Sequence, residues 1–181
     1  MSQQIIDRIT PLVHAFDARV QAASAGTWGN PSPCEGWTAR DVVVHVANNL
    51  GGLGAGLTGQ EPTPVADDAN IVSAWNSARD LFLAALGTAD LSTKLPGPMG
   101  PMAAADMIGR FVATDVLVHT WDLARAVGGD ETLDHDAVEA AYKGLKPMDA
   151  MIRMPGIFGA RIDVEGADLQ TEFLSFLGRS V

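Results

Sequence analysis

Two apolar segments carry residues that could bind a metal ion. Asp115 and His119 are four residues apart in one segment, so on an α-helix they lie on one face about one turn apart. His45 lies alone among valines and alanines in the other segment. One helix would supply an imidazole, and the other a carboxylate and an imidazole. These three ligands would leave the fourth coordination position of a divalent metal open for water or substrate, as in catalytic sites. The pattern favours a metal-binding helical protein.

A purely structural role is the alternative for each of these residues. A lone histidine such as His45 on an apolar helix is often a hydrogen-bonded core residue. Asp115 and His119 could form a surface pair worth a few tenths of a kcal/mol. The neighbours of Asp115 favour the metal, because a carboxylate beside Phe111 and Val116 costs several kcal/mol unless it is paired. From the residues alone, both interpretations stay open.

Two further polar residues have alternative roles. Asp122 follows His119 by three residues and could accept a hydrogen bond from the non-ligating imidazole nitrogen. It could equally pair with Arg125 or Arg110. Cys34 precedes a predicted helix N-terminus, which lowers a thiol pKa, but no partner base is evident, so a loop thiol is the favoured interpretation. Four other residues are predicted to have packing or surface roles: His14, His135, Trp37 and Trp121.

Composition narrows the class of protein. The 181 residues are 47% hydrophobic, which predicts one domain over residues 1–181. The net charge of -10 argues against a nucleic-acid partner. One cysteine excludes an intramolecular disulfide and a cysteine-rich zinc site. With no signal peptide and no apolar span, we expect a cytoplasmic protein without a membrane partner. The oligomeric state stays open between a monomer and a homodimer.

Hydrophobic periodicity predicts an all-α fold, a four-helix bundle with short extra helices and a C-terminal tail. Thr38 is the predicted N-cap of the second helix, with Asp41 at N3, and a glycine-rich stretch at 51–56 weakens or ends that helix. Gly128 is a predicted helix stop. Prolines and glycines, Pro98 among them, predict a loop between Gly87 and Pro101. The predicted helices cover residues 4–24, 38–50, 67 or 68 to 86, 102–127, 136–145 and 169–177.

Three strings carry a resemblance to a known family. Residues 33–46 are PCEGWTARDVVVHV, residues 118–126 are VHTWDLARA, and residues 170–179 are QTEFLSFLGR. Together they resemble the DinB-like metal-binding superfamily, in the short single-domain actinobacterial branch related to mycothiol-dependent maleylpyruvate isomerase. The resemblance covers nearly the whole chain.

The resemblance implies a four-helix bundle that holds a divalent metal, zinc or nickel, through His45, Asp115 and His119. Relatives carry Glu or His where this chain has Asp115, and aspartate is shorter than glutamate by one methylene. A low-molecular-weight thiol such as mycothiol is the implied cosubstrate, together with an electrophilic substrate. No counterpart of the isomerase's C-terminal domain is expected here, so its substrate does not carry over.

The function that follows is a thiol-dependent, mycothiol-type isomerase or S-transferase in which the metal activates the thiol. Two alternatives stay open: a non-catalytic metal-binding or ligand-sensing protein, and a metal-dependent hydrolase. A closed set of four protein ligands would favour the binding protein, whereas an open position beside a pocket would favour the enzyme.

Overall fold

Helices form nearly all of the regular structure in residues 2–97, 100–153 and 158–181, the part of the chain that the computed structural model describes. Over these residues the all-α prediction is confirmed. The chain divides into two compact units, Met1–Asp130 and Glu131–Val181, which are described in turn. A single domain over residues 1–181 stays a prediction. None of the described helices is long and apolar enough to cross a membrane.

The first unit is a four-helix bundle. Helix α2 packs against α3 and α5, and α1 packs against α5 and α3. A two-stranded antiparallel ribbon pairs Leu95 with Met102. The elements in chain order are α1 Ser2–Ala22, a 3-10 turn Ala25–Thr27, α2 Ala39–Leu57, α3 Ile71–Thr88, β1 Lys94–Leu95, β2 Met102–Ala103, α4 Ala104–Met107, a π-helical turn Ile108–Val112 and α5 Ala113–Val127.

Helix α2 begins as predicted and ends later than predicted. The Thr38 side chain accepts a hydrogen bond from the Asp41 amide, and the Asp41 carboxylate accepts one from the Thr38 amide, which completes the capping box. The helix then continues through the glycines to Leu57. A Cβ at Gly54 would lie 3.1 Å from the backbone of Phe82, so this glycine lets α3 approach α2 closely. The expectation that the glycines end the helix near Leu50 is therefore wrong.

Helix α3 begins later than the predicted Asp67 or Asp68. Its N-cap is Asn70, whose side chain accepts a hydrogen bond from the Ser73 amide. The Arg40 guanidinium of α2 donates hydrogen bonds to the carbonyl oxygens of Asp67 and Ala69. These carbonyls are therefore bonded to a side chain of α2 and do not begin a helical turn.

The Asp17 cluster joins α1 to α3 and comprises Asp17, Gln21, Trp75 and Arg79. The Asp17 carboxylate accepts hydrogen bonds from the Trp75 indole at 2.8 Å and from the Arg79 guanidinium. Burial raises the pKa of Asp17, but the hydrogen bonds from Gln21, Trp75 and Arg79 outweigh it, so its pKa lies below its usual value.

The predicted helix over residues 102–127 is interrupted near its start. Residues Met102–Ala103 form β2, because they pair with Lys94–Leu95, and the helix begins at Ala104. A π-helical turn then separates α4 from α5, which carries the candidate ligands. The helix stops at Gly128 as predicted, with a φ of 70° that glycine adopts readily. Pro98, which marks the preceding predicted loop, lies outside the described residues.

The second unit contains α6 His135–Leu145, a 3-10 turn Lys146–Met148, α7 Asp149–Ile152 and α8 Leu169–Phe176. Asp134 caps α6 by accepting a hydrogen bond from the Ala137 amide at 2.8 Å. The Tyr142 ring of α6 packs against Phe173 and Phe176 of α8, with ring centroids 6.1 and 5.3 Å apart. The two helices thus share an aromatic core.

Candidate metal site

His45, Asp115 and His119 meet where α2 packs against α5. The Asp115 Oδ1 atom lies 3.2 Å from His45 Nε2 and 3.4 Å from His119 Nε2. The two imidazole rings meet edge to face, with centroids 4.8 Å apart. All three candidate ligand atoms lie within 4.8 Å of one another. The structure therefore brings together the three residues that the sequence singled out; metal coordination by them stays a prediction.

The donor set and its spacing fit a divalent cation. Two imidazole nitrogens and one carboxylate oxygen are a ligand set that zinc sites use. In a tetrahedral site with metal–ligand distances of about 2.1 Å, neighbouring ligand atoms lie about 3.4 Å apart. The two separations around Asp115 Oδ1, 3.2 and 3.4 Å, are close to that spacing, and all three ligand atoms lie within 4.8 Å of one another. The shorter side chain of Asp115 thus reaches both histidines.

Solvent exposure is uneven around the three residues. The His119 side chain is 10% exposed, whereas those of His45 and Asp115 are 32% and 29% exposed. The site is therefore closed on the His119 side and open toward His45 and Asp115. A ligand from solvent would enter on that open side.

Asp122 lies on the other edge of the His119 imidazole. Its Oδ2 atom is 2.9 Å from His119 Nδ1, and its side chain is fully buried. With the proton on Nδ1, His119 donates to this carboxylate and keeps a lone pair on Nε2, the nitrogen that faces Asp115. That is the tautomer in which an imidazole can bind a metal through Nε2.

Opposing effects set the pKa values of the two α5 residues. Burial raises the pKa of Asp115, but hydrogen bonds with His119 and His45 outweigh it and hold the pKa far below its usual value. Burial lowers the pKa of His119, but hydrogen bonds with Asp115, Asp122 and Cys34 raise it well above its usual value. Two carboxylates around one imidazole thus favour a positive charge, which either a proton or a metal ion can supply.

Cys34 lies beside this network, contrary to its interpretation as a loop thiol without a partner. Its Sγ atom donates to Asp122 Oδ2 at 3.2 Å and lies 3.9 Å from His119 Nδ1. The loop is held by a hydrogen bond of 2.8 Å from the Ser32 amide to the Trp37 carbonyl. Sequence reasoning missed the contact because 88 residues separate Cys34 from Asp122. The sequence feature that could have indicated a place near the site is that Cys34 lies in the same string, residues 33–46, as His45.

Trp37 contacts both imidazoles and so does more than the packing role predicted for it. Its ring centroid lies 5.0 Å from that of His45. It stacks on His119 at 5.8 Å, with 19° between the ring planes. The tryptophan forms one wall of the candidate site and restricts both imidazole orientations.

Asn49 is a site residue that the sequence analysis did not identify. It follows His45 by one helical turn, and its Nδ2 atom lies 3.0 Å from His45 Nε2 and 3.2 Å from Asp115 Oδ2. The available signal was the i, i+4 spacing from His45 on one face of α2.

Comparison with known proteins finds a family whose model matches this chain and a solved structure with a similar fold. The model of the mycothiol maleylpyruvate isomerase N-terminal domain family matches residues 9–124. Two uncharacterized proteins of Mycobacterium tuberculosis, from strains CDC 1551 / Oshkosh and ATCC 25618 / H37Rv, are each 32% identical over 146 residues, covering 78% of this chain and 78% of the relative. The crystal structure of the mycothiol-dependent maleylpyruvate isomerase matches with a TM-score of 0.58 and 18% identity, covering 84% of this chain and 69% of that chain. At this identity the structural match shows the fold, and it agrees with the predicted DinB-like bundle.

Proposed function

We propose, since the chain belongs to the mycothiol maleylpyruvate isomerase N-terminal domain family, that it is a divalent-metal-dependent enzyme of thiol chemistry. Its reaction would be a mycothiol-type isomerisation or S-transfer with a small electrophilic substrate. The observation that carries the proposal is the convergence of His45, Asp115 and His119 on a site open to solvent on one side. An open position is typical of catalytic rather than structural metal sites.

His45, Asp115 and His119 would hold the ion, zinc or nickel. A divalent ion there would act as a Lewis acid and favour the thiolate form of a thiol at the open position. The two imidazoles are neutral donors, and Asp115 contributes one negative charge. A dication would therefore leave the three-residue set with a net charge of about +1, which favours an anionic sulfur ligand.

The surrounding residues hold this arrangement in place. Asp122 keeps the His119 proton on Nδ1 through the hydrogen bond of 2.9 Å, so Nε2 stays available. The Trp37 ring covers the two imidazoles on one side and limits the access of water to them. The thiol would enter on the side where His45 and Asp115 are exposed and would meet the electrophile there. Its proposed setting is the cytoplasm, where such thiols are kept reduced.

Elemental analysis and a thiol-conjugation screen test the proposal together. We expect purified protein to carry about one zinc or nickel ion per chain. The loaded protein should accelerate the reaction of a low-molecular-weight thiol with electrophilic acceptors, relative to metal-stripped protein. The apparent pKa of the reacting thiol should lie below the roughly 8.5 of a free cysteine-type thiol.

His45→Ala is the variant that tests the role of the metal, because this partly exposed imidazole can be removed from α2 without unfolding the bundle. It should abolish the acceleration while leaving the helical circular dichroism signal unchanged. A fully occupied site that accelerates no reaction across a broad set of thiols and acceptors would refute the enzyme and favour a metal-binding or ligand-sensing protein.

A further inference from the structure

Asn49 touches two of the three candidate ligands from the open side of the site. Its side-chain nitrogen lies 3.0 Å from His45 Nε2 and 3.2 Å from Asp115 Oδ2, and the residue is exposed. The proposed function, on which the following inference rests, assigns Asn49 no role. Asn49 lies between the exposed ligands and solvent, on the path that an incoming thiol would take.

Hydrogen-bond accounting fixes which atom of the Asn49 amide faces the site. An ionised carboxylate only accepts hydrogen bonds, so the group that faces Asp115 Oδ2 must be the NH2 group. The same nitrogen lies 3.0 Å from His45 Nε2, where its second proton has an acceptor only if Nε2 carries a lone pair. A proton on Nε2 would instead be donated to Asp115 Oδ1 at 3.2 Å. The Asn49 amide therefore pairs with Nε2 only in the form of His45 that can bind a metal.

The bond to Asp115 also orients that carboxylate. Asn49 holds Oδ2, which leaves Oδ1 to face the two imidazole nitrogens at 3.2 and 3.4 Å. An ion bound to His45 Nε2 would occupy that lone pair, so the second N–H of Asn49 would have no acceptor there, while the first would still hold Asp115. The second N–H would then be available, on the open side, to a negatively charged ligand.

We propose that Asn49 is a positioning residue of the metal site: it holds Asp115 through Oδ2, and it donates a hydrogen bond to the thiolate that occupies the open position. It thus acts on the bound thiol as well as on the ion. A residue that only stabilised the helix would affect neither the affinity for the ion nor that for the thiol.

Cobalt-loaded protein and N-acetylcysteine test this proposal without an activity assay. Co²⁺ affinity is measured by competition with a chromophoric chelator, and N-acetylcysteine affinity by the near-ultraviolet sulfur-to-cobalt charge-transfer absorption. We expect Asn49→Ala to weaken Co²⁺ binding about tenfold, as loss of a group that orients a ligand does. We expect it to weaken N-acetylcysteine binding about tenfold as well, the effect of one hydrogen bond to a charged acceptor.

Asn48→Ala is the matched control, since Asn48 precedes Asn49 on the same helix but accepts a hydrogen bond from the Val65 amide at 2.8 Å. It should leave both affinities unchanged. Asn49→Asp should keep Co²⁺ affinity, because the added carboxylate attracts the cation. It should still lose at least tenfold in N-acetylcysteine affinity, because it repels the thiolate and cannot donate.

Three results would contradict the role of Asn49 or the proposed function, and each would contradict a different part. Affinities of Asn49→Ala within twofold of those of Asn48→Ala would overturn the whole inference. A loss of Co²⁺ affinity with unchanged N-acetylcysteine affinity would overturn the hydrogen bond to the thiolate. Wild-type protein that binds no Co²⁺ would instead refute the proposed function itself.

Discussion

The buried carboxylate of Asp122 gives the sharpest test of how the candidate site is held. Its Oδ2 accepts a hydrogen bond from His119 Nδ1 at 2.9 Å, and the side chain has no exposed surface. Asp122→Asn keeps the shape of the side chain and removes the charge. The amide oxygen can still accept from Nδ1, but as a neutral acceptor.

The expected loss in metal affinity follows from the difference between these two acceptors. A hydrogen bond to a charged group contributes about 1.5–3 kcal/mol, against about 0.5–1.5 kcal/mol for a neutral pair. The two ranges differ by about 1–1.5 kcal/mol, and about 1.4 kcal/mol is a tenfold change, so we expect Asp122→Asn to weaken zinc binding by about 5- to 13-fold. Loss of a partner that orients a ligand histidine typically costs about 10- to 100-fold, and the expected loss lies at the lower end of that range.

Competition with a fluorescent zinc chelator at constant pH and ionic strength measures this loss. Asp136→Asn is the control, because its side chain is 97% exposed and it changes the net charge by the same single unit. We expect the control to bind zinc as the wild type does. Equal zinc affinities of Asp122→Asn and Asp136→Asn would refute the argument that Asp122 fixes the imidazole of His119.

The remaining predictions concern the other ligands and the stability of the bundle. His119→Ala should lose most of its bound metal in elemental analysis, whereas Cys34→Ser should keep it, because Cys34 lies at Nδ1 and not at Nε2; equal losses would place Cys34 among the ligands. The Asp17 cluster should stabilise the fold above the unfolded-state pKa of about 3.9 and lose that contribution as pH falls through the lowered folded-state pKa. Urea unfolding of wild type and Asp17→Asn should therefore differ at pH 7 and converge toward pH 2; a constant difference would contradict this. Thr38→Ala should lower the free energy of unfolding by about 1 kcal/mol through loss of the N-cap, measured as a lower urea midpoint at unchanged slope, and an unchanged midpoint would show that the cap contributes nothing.

Several features could be predicted from the sequence because they depend only on residues close together in the chain. The N-caps Thr38 and Asp134 and the stop at Gly128 depend on residues within one turn of each other, so their patterns survive without tertiary information. The pairing of Asp115 with His119 follows from helix geometry alone. His45 follows from the resemblance carried by residues 33–46, because a lone imidazole on an apolar helix is equally compatible with a structural role.

Docking of the helices and loops decided the rest. The glycines of α2 would end an isolated helix, yet here they let α3 approach, and packing outweighs their low helix propensity. Helix α3 begins at Ile71, after the N-cap Asn70, and the carbonyl of Ala69 just before it accepts a hydrogen bond from Arg40, 29 residues earlier in the chain.

The same distinction holds within the site. The sequence by itself determined which residues could bind a metal, because their types and helical spacing are local properties. Tertiary structure alone placed Cys34 against Asp122 and Trp37 over His119, because those contacts join a loop to α5 across more than 80 residues of chain. It also placed the Asn49 amide on Asp115, a contact that exists only because α2 and α5 pack against each other.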